Sequence, residues 1–157
     1  MDLLEAKSRI AQALVESVFR RARYRVATFH SAQPPLRFGR EDFSPDLEVF
    51  LTDAQAEPFL LIVKYRPHVD QFLGVDSQRG DRSVLAMMHR QWPRLWLVLV
   101  TDRPEAGRSC FQTVAIDDHV PGAPIHTRGL TDVPEFGIFP QNVEDHEALV
   151  RSIIGTL

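Results

Sequence analysis

Phe59-Leu60-Leu61-Ile62-Val63-Lys64-Tyr65 is the stretch on which the fold turns. Apolar residues fall on both sides of the extended chain, the pattern of a strand covered on both faces. Lys64 interrupts that pattern. A charge in such a segment is costly unless it is paired or used. The chain carries only two lysines against sixteen arginines, so the position stands out further. Immediately upstream, Pro45-Asp46-Leu47-Glu48-Val49-Phe50 alternates with period two. Leu47 and Val49 take one side; Asp46, Glu48 and Phe50 take the other. The polar residues 53–58 between these two segments predict a turn, and the pair predicts a hairpin of strands 46–52 and 59–65.

Working outward from that hairpin, residues 2–22 carry apolar side chains at three- and four-residue spacing and predict an amphipathic helix. Tyr24–Phe29 predicts a strand, and residues 31–45, broken by Pro34, Pro35, Gly39 and Pro45, predict a loop. Pro67–Gly80 is polar and predicts a mobile loop. Asp81 is placed to cap a helix over 82–91, which Pro93 ends. Leu95–Val100 is a second continuous apolar strand. A strand, a helix and a strand at this spacing imply a parallel pair joined by a right-handed crossover. Residues 101–107 predict a turn, and Ser109–Ile116 predicts a strand with an exposed edge able to pair with a second copy. Residues 117–141 are rich in Pro and Gly, with Gly137–Phe139 as a short edge strand, and Glu144–Ile154 predicts a closing helix.

The composition sets bounds on function. At 157 residues and 44% hydrophobic content the chain reads as one globular domain, 1–157. No apolar stretch reaches the length of a membrane span. Acids at the N-terminus, where a secretion signal would be basic, predict a cytoplasmic protein. The single cysteine, Cys110, excludes an internal disulfide and a cysteine-cluster zinc site. The formal charge of -3 argues against tight nonspecific nucleic-acid binding, although local distribution matters more than the sum. Arginines cluster at 20–25, at 37–40 and at 79–94; as a default they read as solvated surface.

The order helix, strand, two-stranded hairpin, helix, strand, with Pro45-Asp46 heading the second strand and Val63-Lys64 late in the third, resembles the PD-(D/E)XK nuclease superfamily over about residues 1–101. The resemblance implies an α/β fold with a restriction-endonuclease-like core, a mixed four- to five-stranded sheet flanked by helices. It implies Mg²⁺ held by two carboxylates on adjacent strands through hard oxygen ligands. The metal polarises a phosphodiester and activates water, and the lysine positions that water. The family places an acid two residues before the lysine. Here that position is Ile62, which cannot ligate a metal.

Three readings follow. In the first, a carboxylate has migrated: Asp46, Glu48 and Lys64 are catalytic, and Asp46 with Glu48, or with Glu16 on the first helix, binds the metal. Glu5 and Gln12 are weaker stand-ins. In the second, the chain is a noncatalytic or weakly active descendant that binds DNA, a protein partner or a second copy of itself, without a cofactor. In the third, the domain is unrelated and Asp46 and Lys64 form a structural ion pair. The phosphate contacts expected of a nucleic-acid binder fall to Arg66, Arg79 and Arg82. His68 and Asp70 are expected at the mouth of the same site or in solvent. Asp117-Asp118-His119 reads as a turn, Asp145-His146-Glu147 as helix capping, and Trp92 and Trp96 as core.

Overall fold

The computed structural model describes residues 2–51 and 57–157. Helix α1 (Leu3–Arg21) starts where the Asp2 carboxylate accepts the Glu5 backbone N–H at 2.7 Å. Then come β1 (Tyr24–Thr28), β2 (Arg37–Phe38), β3 (Glu41–Asp42), β4 (Leu47–Leu51) and β5 (Phe59–Tyr65). The second half holds α2 (Val69–Ser77), α3 (Val84–Gln91), β6 (Leu95–Val100), β7 (Phe111–Ala115), β8 (Arg128–Gly129) and α4 (Pro140–Ile153). The fold is α/β, with one mixed six-stranded sheet in the order β1-β4-β5-β6-β7-β8, and β2-β3 as a separate hairpin. β5 and β6 are parallel and their neighbours antiparallel.

Strand parity divides the core in two. Leu47, Val49, Leu61, Val63 and Tyr65 pack with Ala11, Val15, Val18 and Phe19 of α1 and with Val143 and Val150 of α4. Ile62, Leu97 and Leu99 point the other way, onto Leu73 of α2 and Val84, Leu85 and Met88 of α3. All six residues of β6 are buried, which explains its unbroken apolar sequence. Trp92 and Trp96 are buried as expected.

Several expectations need correction. The sheet has six strands because β8 adds one beyond the four or five expected. The expected loop 31–45 contains the β2-β3 hairpin, turned at Gly39, whose φ of 65° is the left-handed value a two-residue connection demands. The expected mobile loop 67–80 holds α2; its apolar Val69, Phe72, Leu73 and Val75 lie at helical spacing, and Val69 and Leu73 are buried. Helix α3 is capped by Ser83, whose hydroxyl accepts the Ala86 N–H at 2.9 Å, and not by Asp81. Strand β7 is interior, so the edge expected at 109–116 is covered by β8. Residues 137–139 form no strand. The last helix begins at Pro140, a residue suited to a first helical position. Thr52 and the 53–56 part of the expected turn lie outside the described residues.

Candidate functional site

Asp46 stands immediately before β4 and extends its ladder on both sides. Its N–H donates to the Leu61 carbonyl at 2.8 Å, and its carbonyl accepts the Phe29 N–H at 3.1 Å. Leu47, Val49, Leu61 and Val63 face α1, so alternation puts Asp46, Glu48, Ile62 and Lys64 on the α2-α3 face. Asp46 and Lys64 therefore share a face, as parity predicts. The Asp46 carboxylate turns to β5 and accepts the Val63 N–H at 2.9 Å, closing the ladder where β4 begins. Burial drives its pKa from 3.8 to about 6; the Val63 hydrogen bond and the Lys64 charge oppose that rise, and the Asp42 charge adds to it.

Lys64 does not form the expected ion pair with Asp46. Its ammonium lies 3.8 Å from Glu41 Oε2 and 5.2 Å from the centre of the Phe43 ring. The acid that meets it comes from β3, in the segment expected to be loop. The same Glu41 accepts Arg66 Nη2 at 2.6 Å through Oε1. Arg66 also donates to the Tyr65 carbonyl at 2.8 Å and lies 4.5 Å over the Phe72 ring. One carboxylate thus joins two cations two residues apart, Lys64 within β5 and Arg66 just beyond its end, and Arg66 is buried. Glu41 is the residue the sequence reading missed. The signal available was Arg37-Phe38-Gly39-Arg40-Glu41-Asp42, a glycine turn between two short pairs that the surrounding prolines obscured.

The remaining candidates separate. Glu48 shares the face of Asp46 but lies opposite Leu60 and Ala27, farther down β4 from Lys64. Glu16 belongs to α1, on the other side of the sheet, and binds Arg20 at 2.7 Å. Among the described residues no group of three or more His, Cys, Asp and Glu side chains is placed to hold a metal ion. The donors themselves fit Mg²⁺ poorly. Position 62 is a fully buried isoleucine, Asp46 is engaged by a backbone amide and its ionisation is disfavoured by burial, and Glu41 is occupied by two cations.

Beside this cluster, a pocket of about 380 Å³ opens between the β2-β3 hairpin and α2. Phe38, Phe43, Arg66, Gln71, Phe72 and Arg79 are in its wall. Arg79 lies 4.7 Å over the Phe38 ring, with Asp76 at 3.8 Å. Asp76 is buried and caps α3, accepting the N–H of Val84 at 2.8 Å and of Leu85 at 3.2 Å. Arg82 is exposed on the short turn 80–82. His68 precedes α2 without a side-chain capping bond, and Asp70 takes a bidentate contact from Arg108 at 3.1 Å, away from Lys64.

Two acidic runs have other employment. Residues 116–118 form a turn of 3₁₀ helix; His119 behind it is buried, and burial lowers its imidazole pKa. Asp145, His146 and Glu147 lie inside α4 and do not cap it. Asp145 binds Arg21 at 2.6 Å, His146 bridges the Asn142 carbonyl and Ser17, and Glu147 accepts the Cys110 N–H at 2.8 Å. They tie α4 to α1 and to the start of β7. No helix among the described residues is long and apolar enough to cross a membrane. No family model, curated protein or solved structure matches this chain.

Proposed function

We propose that this chain is a noncatalytic, nucleic-acid-binding descendant of the PD-(D/E)XK nuclease fold. The observation that carries the reading is Glu41. Its two oxygens engage Lys64 and Arg66, the cations that a cleaving site would turn toward a phosphate. Support for the fold comes from the order α1, β1, β4, β5, α3, β6, with β5 and β6 parallel, and from Asp46 and Lys64 sharing a face. Support for binding comes from the exposed arginines. Arg79 lines the pocket, and Arg37 and Arg40 on the hairpin and Arg82 beyond α2 are also exposed, so cations are available at the surface although the chain is acidic overall.

The test is fluorescence anisotropy of labelled DNA combined with a nicking assay on plasmid. Binding through about four phosphate contacts should weaken about 100-fold between 50 and 200 mM salt. Neither Mg²⁺ nor Mn²⁺ should support cleavage. Absence of binding at low salt refutes the reading and leaves a protein partner or a second copy as the ligand. Cleavage with either metal that disappears in Lys64→Ala would overturn the noncatalytic reading in favour of an active Mg²⁺-dependent endonuclease. The third reading, a structural Asp46–Lys64 pair, would act through charge alone, since the acid in contact with the Lys64 ammonium is Glu41.

A further inference from the structure

We propose that the pocket between the β2-β3 hairpin and α2 receives an unstacked base of single-stranded nucleic acid. The inference rests on the nucleic-acid reading above and goes beyond it to the strand form and the subsite. The pocket's volume of about 380 Å³ sits at the small end of ligand sites, which run from about 300 to 1,000 Å³. Its walls are aromatic. Phe38 comes from the hairpin, Phe43 from the connection to β4 and Phe72 from α2.

Each of these rings already carries a cation. Arg79 lies 4.7 Å from Phe38, Arg66 4.5 Å from Phe72 and the Lys64 ammonium 5.2 Å from Phe43. Phenyl faces and guanidinium planes are the two surfaces on which splayed bases stack. The Arg66 plane is also preorganised, because Glu41 and the Tyr65 carbonyl fix it from two sides. Little ordering of that side chain is left for binding to supply.

The acids in the wall do not turn an anionic strand away. Glu41 is matched by two cations, and Asp76 is spent on the N-terminal amides of α3. A phosphate is left to the exposed Arg79, and the exposed polar side chains of His68 and Gln71 also line the pocket, where base edges would emerge. A base inside a duplex cannot enter such a pocket without being extruded. The site therefore favours single strands.

The experiment compares two labelled strands of equal charge, a thymidine oligomer of about 12 nucleotides and the same deoxyribose-phosphate backbone without bases, by anisotropy at one salt concentration. The thymidine strand should bind at least tenfold more tightly, the range that stacking of one base supports. Phe38→Ala and Phe72→Ala should erase that preference, bringing the ratio of the two affinities to about one. The comparison of ligands needs no variant, so a misfolded mutant cannot mask the answer. Equal binding of the two strands overturns the base pocket and leaves nucleic-acid binding standing. Binding of neither strand overturns both.

Discussion

Replacing Asp46 by asparagine should stabilise the fold at mildly alkaline pH and leave it nearly unchanged in acid. Asp46 is held at about 6 against an ordinary value of 3.8, chiefly because burial disfavours its charged form. The folded state therefore keeps a proton that the unfolded chain has released. The stabilisation from that retained proton is complete below 3.8 and is lost as pH rises through about 6. The gap corresponds to at most about 3 kcal/mol once both states are ionised. Asparagine keeps the carbonyl that accepts the Val63 N–H and removes the ionisation. Its NH₂ group needs a partner, a cost of about 1 kcal/mol. The balance is about 2 kcal/mol in favour of the variant near pH 8, falling to about zero near pH 4.5. Urea unfolding of both proteins at several pH values across that interval measures it. A difference that stays flat within about 0.5 kcal/mol would refute the claim that Asp46 resists ionisation. A stabilising substitution at this position would also agree with a group retained for a former or present task rather than for folding.

Glu41→Gln should cost about 1–3 kcal/mol, because it leaves Lys64 and the buried Arg66 without their acid while Glu41 itself is partly open to water; the urea midpoint reads this directly, and an unchanged midpoint would show the pairing to be energetically idle. Asp76→Asn should cost about 1–2 kcal/mol by weakening the cap on α3, and amide exchange at Val84 and Leu85 should speed up more than exchange in α1. Ile62→Glu places a second acid beside Asp46 in a fully buried position, so several kcal/mol of stability should be lost without metal. Millimolar Mg²⁺ should then raise the melting temperature of this variant and not of the parent, and equal responses would show that positions 46 and 62 do not form a cation site.

The central elements were legible because their patterns report directly on burial. Residues 59–65 and 95–100 are apolar on both faces because helices cover both faces of the sheet there. Their parallel pairing followed from the helix between them. Alternation in 46–51 and the three- and four-residue spacing in α1 placed each on its correct layer. Helix α2 was obscured because its nine residues include a glycine, two aspartates and a serine, so polarity outweighed the apolar spacing. The β2-β3 hairpin was obscured because each strand is only two residues long, too short for period-two alternation to declare itself.

By itself the sequence determined the α/β class, the strand order from β4 to β6 and the common face of Asp46 and Lys64, because periodicity is a local property of the chain. It could not determine which acid meets Lys64. That contact depends on how a two-residue hairpin folds back over β5, a matter of packing between segments separated by more than twenty residues in sequence and not of any repeat. Glu48 was the natural candidate from spacing along one strand, yet tertiary structure selects Glu41. The same placement turns Lys64 and Arg66 from cations aimed at a phosphate into partners of a protein carboxylate, and it builds the aromatic pocket beside them.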